Sequence, residues 1–285
     1  MKAISAILPV YNEERLLPHC LKNIEPFFDE ILVIDGGADG PSTDDTGKIA
    51  KAHGKVIYHS GVFKTMDGGW DMALQRNVGI NKASGDVLFF LSADMLFENL
   101  EILIDAVKEE KYRIYFSSII EFWLSTKFSR VYDASGDLLT TTAPILEPVA
   151  LDRTLHPYSE ETGRFNLDGA CPEDRVILSQ VRKLHLGWVR PFKEQVAKHI
   201  RHVKQHRWGE AGEKLLQGTE RSLEQWAMLH VLSYPQVGSI RFYGEFPPAV
   251  ESLKDMQYND GVKDATNEFE ERYGTSIFKM QRHKG

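Results

Sequence analysis

The chain has 285 residues, 42% of them hydrophobic and 26% charged, with a formal net charge of −7 at pH 7. It is long enough to bury a large core in one domain or two fused halves, and its composition is that of an ordinary globular protein. The negative charge argues against general nucleic-acid affinity, and two cysteines, Cys20 and Cys171, exclude a disulfide framework. The sequence shows no signal peptide and no run of about 20 apolar residues, so we expect a cytoplasmic protein without a transmembrane segment.

Strands and helices are predicted to alternate through the first hundred residues. The predicted elements are a strand over Ile4–Leu8, an amphipathic helix over Leu16–Phe28, a strand over Ile31–Ile34, a short helix over 44–53 and a strand over Lys55–Tyr58. Such alternation is typical of an α/β fold with a doubly wound, mostly parallel, Rossmann-like sheet. The second strand ends on Asp35, and the loop after it, from Gly36 to Thr43, is rich in glycine and proline, which lets the backbone approach a ligand.

The central stretch of the sequence runs from Met72 to Leu96. A helix is predicted up to Ser84 and Gly85, and five apolar residues, Val87 to Leu91, then predict a buried strand that ends at Asp94. An acid directly after a buried strand lies at the carboxyl edge of the sheet, where open α/β sheets bind ligands. Asp94 is therefore either a ligand for Mg²⁺ or Mn²⁺ or, in the alternative interpretation, a cap of the next helix, predicted to begin near Glu98.

Two blocks of sequence resemble the signature motifs of the family 2 glycosyltransferases, which have the GT-A fold. The first is Ile7-Leu8-Pro9-Val10-Tyr11-Asn12-Glu13-Glu14 with Asp29 to Gly40, and the second is Arg76-Asn77-Val78-Gly79, Ala83-Ser84-Gly85-Asp86 and Ser92-Ala93-Asp94. The resemblance implies an enzyme that transfers a sugar from a nucleotide-diphosphate sugar, UDP-linked, with inversion and with Mn²⁺ or Mg²⁺. Two positions depart from the pattern: Gly36 replaces the common second acid after Asp35, and Ser92 replaces the first acid of Asp-x-Asp.

The resemblance also implies roles for individual residues. The residues implied in binding the nucleotide sugar are Pro9, Tyr11, Glu13, Asp35, Asp39, Arg76, Ser92 and Ala93. Asp94 and His185 are the implied metal ligands, although Arg190 and Lys193 could neutralise a diphosphate without metal. The implied base that deprotonates the acceptor is Asp174 or Glu173, with Asp168 as a third candidate. Five of these residues also have a structural alternative: a turn for Asp39, a helix surface for Arg76, a turn histidine for His185, and a helix N-terminus for Glu173 and Asp174.

Positive charge is concentrated in one stretch, 182–207. It contains eight Lys or Arg residues, four histidines and a single acid, Glu194. An anionic partner is one interpretation: a lipid phosphate, a polyanionic saccharide, or a nucleic acid whose bases would be glycosylated. A solvated helix face is the default interpretation of a charge run. The acceptor stays open between saccharide, lipid-linked, protein and nucleic-acid substrates.

The predicted domain organisation divides the chain at residue 207. Residues 1–207 are predicted as the GT-A catalytic domain, with 1–110 as the nucleotide-sugar-binding half and 111–207 as the acceptor half. Residues 208–285 are predicted as a C-terminal helical cap. The helices predicted in the second part of the chain include Val196, Ile200 and Val203 in one, and cover 210–232, 248–256 and 262–273. Because Ser92 and Gly36 depart from the family pattern, a non-catalytic module that binds nucleotide sugar is the competing hypothesis.

Overall fold

The structure, a computed structural model, describes residues 2–66, 68–122, 125–126, 128–130, 146–160, 165–206, 217–218, 223–228, 231–232, 239–241, 246–256 and 260–273. The chain separates into two compact units. The first, here called the sheet unit, contains Met1–Ile120, Pro144–His185 and Phe246–Glu251; the second unit contains Glu121–Ala143, Leu186–Glu245 and Ser252–Gly285. The predicted domain boundary at residue 207 stays a prediction.

The strands of the described residues are β1 (Ile4–Val10), β2 (Glu30–Asp35), β3 (Val56–Ser60), β4 (Val87–Phe90), β5 (Met95–Glu98), β6 (Ile114–Glu121), β7 (Phe128–Arg130), β8 (Leu146–Asp152), β9 (Tyr158–Ser159), β10 (Phe165–Asn166), β11 (Arg175–His185) and β12 (Ser239–Arg241). The helices are α1 (Leu17–Ile24), α2 (Thr46–Lys51), α3 (Met72–Lys82), α4 (Leu100–Lys108), α5 (Phe192–His206) and α6 (Asp260–Tyr273). The alternation predicted for the first hundred residues is confirmed.

Eight strands form the main sheet in the order β3-β2-β1-β4-β8-β6-β11-β5. Its first four strands are parallel, because β1 pairs in parallel with both β2 and β4, and β2 with β3. Every residue of β1 is buried, as expected for a parallel strand covered on both faces. The other half contains antiparallel pairs, in which β8 pairs with β4 and β6, and β11 pairs with β5.

The helices of the sheet unit begin and end where local chemistry requires it. Helix α1 buries Leu17, Cys20, Leu21 and Ile24 and ends before Pro26, which has no N–H to continue an α-helix, so the predicted extension to Phe28 is a 3₁₀ turn instead. Helix α3 begins at Asp71, whose carboxylate accepts a hydrogen bond from Leu74 N at 2.8 Å. Gly85 then lets the chain pass beside β1: a Cβ there would lie 2.4 Å from Ser5 Oγ.

Two predicted helices are corrected by the structure. The segment from Met95 to Glu98 is the strand β5, and α4 begins only at Leu100, because β5 pairs with β11 at the edge of the sheet. Asp94 therefore does not cap a helix. The helix predicted over 248–256 is a 3₁₀ turn from Pro248 to Leu253. Much of the helix predicted over 210–232 lies outside the described residues. Within the part of it that is described, residues 223–228 are helical.

The second unit has its own hydrophobic core. The buried residues of this cluster are Val196, Ala227, Met228, Val231, Leu232 and Phe269. The predicted helix that contains Val196 is confirmed as α5, and the helix predicted over 262–273 is confirmed as α6. Among the described residues, no helix combines the length and the apolar character that crossing a membrane requires.

Candidate functional site

The carboxyl ends of β1, β2 and β4 lie at one edge of the sheet, because these strands are parallel neighbours. Gln75 of α3 fixes two of them, since its side-chain amide donates to Val10 O at 3.0 Å and to Ile34 O at 2.5 Å. Asp35 ends β2 and Asp94 follows β4, with only β1 between those strands. Two strand spacings amount to about 10 Å, so the two acids follow strands that end close together at the same edge.

Asp94 and His185 form a polar pair at this edge. His185 is the last residue of β11 and pairs in register with Met95, which places it beside Asp94. His185 Nε2 lies 3.4 Å from Asp94 Oδ2, and both side chains are largely buried, with 15% and 11% of their surface exposed. The two residues that the resemblance implies as metal ligands are therefore in contact, although they are 91 positions apart in the sequence.

The donor set at this pair fits a hard divalent cation only in part. A carboxylate and an imidazole are both ligands of Mn²⁺, which would need further oxygens from a diphosphate and from water to complete its shell. Within the described ranges, no cluster of three or more His, Cys, Asp or Glu side chains could hold a metal by itself. The pair can therefore hold a metal together with a ligand that brings its own oxygens.

Cys20 lies beneath the turn that carries Asp94. Its thiol is fully buried in α1, 3.7 Å from Ser92 O. Burial raises the pKa of the Cys20 thiol, and the negative charges of Asp94 and Glu13 raise it further. Cys20 is therefore a neutral structural residue that supports the turn.

Asp35 anchors the loop that follows β2. Its side chain is buried, one carboxylate oxygen accepts from Ser42 N at 3.1 Å and from the Ser42 hydroxyl, and the other accepts from the Tyr58 hydroxyl at 2.6 Å. Burial and the Asp35 carboxylate raise the pKa of Tyr58 to about 12, so its hydroxyl stays a donor. The observed contacts of Asp35 thus shape the loop over 36–43, whereas direct nucleotide contact stays a prediction.

Of the other residues implied in nucleotide binding, Tyr11 lies close to Gly37 of this loop and Asp39 belongs to the loop. The ring centroids of Tyr11 and Trp70 are 5.8 Å apart, and the backbone N–H of Glu13 donates to the Thr46 hydroxyl at 2.8 Å. Asp39 is exposed in the turn between Gly37 and Gly40. Ala93 is buried in the turn after β4, between Ser92 and Asp94. Tyr11 and Trp70 provide aromatic surface next to the carboxyl end of β1.

A cavity of about 480 Å³ opens beside the same edge, within the sheet unit. Three of the residues implied in donor binding line it: Pro9, Arg76 and Ser92. The remaining lining residues come largely from the antiparallel half of the sheet and the segments next to it: Phe90, Leu91, Met95, Ile114, Phe116, Pro148, Phe165, Leu167, Arg175 and Lys183. The volume lies in the range of small-molecule sites, so this cavity is the candidate binding site.

Sequence reasoning missed most of the residues that line this cavity. In the sequence Lys183 is only one charge of a basic stretch, yet it is 2% exposed and lines the cavity from β11. Phe116 and Phe165 belong to no recognised motif, and Arg175 only follows the acidic pair Glu173 and Asp174. Their only sequence signal is the alternation of side chains along a strand, which becomes informative only when the pairing of the strands is known.

The structure pairs Asp174, the implied catalytic base, with Arg113. Arg113 donates from Nε and Nη2 to the two carboxylate oxygens of Asp174, each at 2.7 Å, and Cys171 N donates to the same carboxylate at 2.8 Å. These hydrogen bonds hold the pKa of the Asp174 carboxyl well below its usual range, and the hydrogen bonding by Arg113 has the largest effect. This pairing competes with a role as base, which needs a carboxylate free to accept the acceptor proton, so Asp174 as the base stays a prediction. Glu173 and Asp168 are exposed and stay candidates.

We expect Asp174→Asn to lower thermal stability rather than to stop transfer selectively, because Arg113 would lose its carboxylate. The folded pKa is depressed, so the ion pair stabilises the fold above the unfolded pKa of about 4 and its contribution is lost as the pH falls through the folded pKa. Melting temperatures of wild type and variant should therefore differ at pH 7 and converge as the pH falls below about 4. An unchanged melting temperature with complete loss of transfer would restore Asp174 as the base.

The basic stretch is not one exposed surface. Lys183, Arg190, Lys198 and His199 are buried, and Lys198 donates to Gly187 O at 3.0 Å. The Lys198 ammonium lies 4.7 Å from the Trp188 ring centroid, and His199 stacks on the same ring. Arg182 pairs with Glu98. Arg207 lies outside the described residues. Much of the charge between 182 and 207 is thus used inside the fold, which argues against both a solvated helix face and an extended anion-binding surface.

Comparison with known proteins adds the following. Residues 5–157 match the model of Glycosyl transferase family 2. The undecaprenyl-phosphate 4-deoxy-4-formamido-L-arabinose transferase of Aeromonas hydrophila is 31% identical over 101 residues, which are 33% of this chain and 30% of that protein. The 4,4'-diaponeurosporenoate glycosyltransferase of Staphylococcus haemolyticus is 29% identical over 121 residues, 39% of this chain and 30% of that protein. The chain thus spans less than a third of the length of either relative.

Among solved structures, glucosyl-3-phosphoglycerate synthase from Mycobacterium tuberculosis, in complex with Mn²⁺ and UDP-glucose, is similar to this chain with a TM-score of 0.43 and 19% identity. That similarity covers 70% of this chain and 76% of the synthase chain.

Proposed function

The chain belongs to glycosyl transferase family 2 and is a glycosyltransferase with the GT-A fold, and from this premise we propose that it transfers a sugar from a UDP-linked donor to an acceptor hydroxyl, with a divalent metal and with inversion. The observation that carries the proposal is the contact of Asp94 with His185 at the carboxyl edge, 3.4 Å apart. Ser92 and Met95, the residues on either side of the Ala93-Asp94 pair, both line the cavity. A reactive diphosphate at Asp94 would therefore open directly onto this cavity.

The nucleotide would bind on the side of the edge formed by β1 and β2. Tyr11 and Trp70 offer aromatic surface for the base or ribose, and the loop held by Asp35 borders the same region. Asp35 then acts by positioning the loop, with Ser42 and Tyr58 as its partners. Asn77 supports α3 from below, because its side-chain amide exchanges two hydrogen bonds with the backbone of Ser159. Arg76, the residue before Asn77 on α3, lines the cavity.

Sugar transfer by a single displacement inverts the anomeric carbon. The acceptor oxygen forms a bond to that carbon while the bond to the diphosphate breaks, and the acceptor proton passes to a base. The diphosphate leaves with its electron pair, so positive charge near it lowers the barrier. Arg76, which lines the cavity, would supply such charge. A metal held by Asp94 and His185 would supply Lewis-acid stabilisation of the leaving diphosphate.

Glu173 and Asp168 are the candidates for the base in this proposal. Both are exposed, and Asp168 follows Leu167, which lines the cavity. Unlike the carboxylate of Asp174, theirs are not held by the bidentate contact with Arg113. Single Glu173→Gln and Asp168→Asn variants, assayed for transfer with donor binding as the reference, separate the two.

The test of the proposed function is a donor screen with two readouts. UDP-sugars are titrated with and without Mn²⁺, and UDP release is measured in parallel, with the anomeric configuration of any product determined by NMR. We expect Mn²⁺ to strengthen UDP-sugar binding and UDP to be released. Binding without any UDP release, even by slow hydrolysis, would show a non-catalytic nucleotide-sugar-binding module. Absence of binding to every UDP-sugar would exclude the proposed donor class.

A further inference from the structure

The side chain of Gln75 is fully buried near the start of α3, where it meets the ends of two strands. Its amide nitrogen donates to Val10 O at 3.0 Å and to Ile34 O at 2.5 Å, and its oxygen accepts from the indole Nε1–H of Trp70 at 3.1 Å. Both N–H donors and the oxygen of the amide therefore have partners. The opposite orientation of the amide would bring its oxygen against two carbonyl oxygens, so the three partners together fix how the side chain lies.

The three partners of this amide belong to the side of the edge that the proposed function gives to the nucleotide. Val10 is the last residue of β1 and directly precedes Tyr11, and Ile34 is the last but one residue of β2. The ring of Trp70 lies 5.8 Å from the ring of Tyr11 between centroids, at 51° to it. Gln75 thus connects the Trp70 ring to the ends of both strands that border the expected nucleotide position.

Trp70 is more than an anchor of the core, because it is only partly buried. It packs against the cluster of buried residues that includes Ile7 and Phe63. Tyr11 lies against the loop after β2, since a Cβ at Gly37 would be 3.1 Å from the Tyr11 ring. Aromatic side chains bind nucleobases by stacking, which depends on the orientation of the ring. The hydrogen bond to Trp70 Nε1 is therefore a means of fixing that orientation before a nucleotide arrives.

We infer that Gln75 is a positioning residue for the nucleotide of the donor: it does not touch the nucleotide but holds the Trp70 ring against the ends of β1 and β2. A ring that is already fixed loses little further freedom when a base packs on it, so binding is stronger. The inference rests on the proposed function, because it takes a nucleotide to bind beside Tyr11 and Trp70. The alternative is a purely structural role, in which Gln75 only ties β1 to β2.

The test is a double-mutant cycle on UDP affinity, measured by calorimetric titration in the presence of Mn²⁺. Gln75→Met has a similar length and volume but none of the hydrogen bonds, and Trp70→Phe keeps a ring but lacks the Nε1–H that the amide accepts. We expect each single change to weaken UDP binding about five- to tenfold. Because Gln75 acts through Trp70, the double variant should bind UDP no more weakly than the weaker single variant.

The matched control is Asn23→Ala, which also removes a buried amide with two hydrogen bonds to a strand. Asn23 Nδ2 donates to Phe97 O at 3.1 Å, and Phe97 N donates to Asn23 Oδ1 at 2.7 Å. Thermal melts should show lower stability for both Asn23→Ala and Gln75→Met, whereas UDP affinity should fall only in Gln75→Met. This contrast separates positioning of the ring from a general loss of stability. If Gln75→Met does not fold, Trp70→Phe still tests the inference, since it breaks the same hydrogen bond from the other side.

Two outcomes would overturn the inference. The first is unchanged UDP affinity in Gln75→Met or in Trp70→Phe. The second is additive weakening in the double variant, which would show that Gln75 acts on UDP without Trp70. Failure of the proposed function is recognised separately, because it appears in the wild type as absence of binding to UDP and UDP-sugars. In that case Gln75 positions no nucleotide and the inference fails with it, whereas a wild type that binds UDP leaves the decision to the variants.

Discussion

Replacing Asp94 with alanine should lower the transfer rate by about 10²–10³-fold and remove most of the Mn²⁺ dependence of UDP binding. Asp94 is the only carboxylate in the described Ser92-Ala93-Asp94 turn, because Ser92 stands where the family pattern has another acid. Its loss leaves His185 as the one remaining ligand of the pair. The size of the effect is that of removing a charged group that stabilises a developing negative charge. Stopped assays of UDP release and calorimetric titration of UDP with Mn²⁺ measure the two quantities.

The matched control for this variant is Asp105→Ala, which removes a carboxylate that is exposed on α4 and pairs only loosely with Lys108 at 3.4 Å. It should leave transfer unchanged. His185→Ala should weaken Mn²⁺-dependent UDP binding less than Asp94→Ala, since a neutral imidazole contributes no charge. If Asp94→Ala retained wild-type transfer and Mn²⁺ dependence, the edge of β4 would not be the diphosphate site and the proposed function would have to be abandoned.

The parallel half of the fold could be predicted from sequence because its strands are buried on both faces. Continuous apolar runs such as Val87 to Leu91 report that burial directly. The antiparallel half could not be predicted in the same way. Strand β11, from Arg175 to His185, mixes charged and apolar residues along its length, and β5 is only four residues long. Its partner β11 begins 77 positions after β5 ends, so only long-range pairing reveals that Asp94 precedes a strand.

The same difference between predictable and unpredictable parts applies to the residues of the candidate site. Motif resemblance selected Pro9, Arg76 and Ser92, which share a cavity, and Asp94 and His185, which are in contact. The resemblance could not show that Asp174 is committed to Arg113, because an acidic pair after a proline has the same local sequence whether it is catalytic or begins a turn. The other cations and the aromatic residues that line the cavity come from separate segments, and only the folded sheet brings them together.

The second large effect concerns the other departure from the family pattern, Gly36. Introducing the common acid with Gly36→Asp should destabilise the protein by about 3 kcal/mol or more and lower its melting temperature by about 10 °C. A Cβ at position 36 would lie 2.2 Å from the backbone oxygen of Gly61 and 2.9 Å from the Phe63 ring. The backbone of Gly36 also has a φ of +154°, near the limit of the region that favours glycine. A backbone oxygen cannot move aside as a flexible side chain can, so the loop after β2 would have to shift.

Thermal melts and UDP titrations of Gly36→Asp, Gly36→Ala and Gly54→Asp separate the causes. Gly36→Ala tests the clash without the charge, and most of the stability loss should already appear there. Gly54→Asp is the matched control, because a Cβ at that exposed position meets no atom within 4 Å. If Gly36→Asp were as stable as wild type and bound UDP more tightly, the clash would be absent and the glycine would be a dispensable departure. The expected result instead means that this loop requires a glycine at position 36. Phe63 N donates to Gly37 O at 2.9 Å, and Gly61 N donates to Asp35 O at 3.0 Å. The segment after β3 is therefore hydrogen-bonded to both residues that flank position 36, which leaves no room for a side chain there.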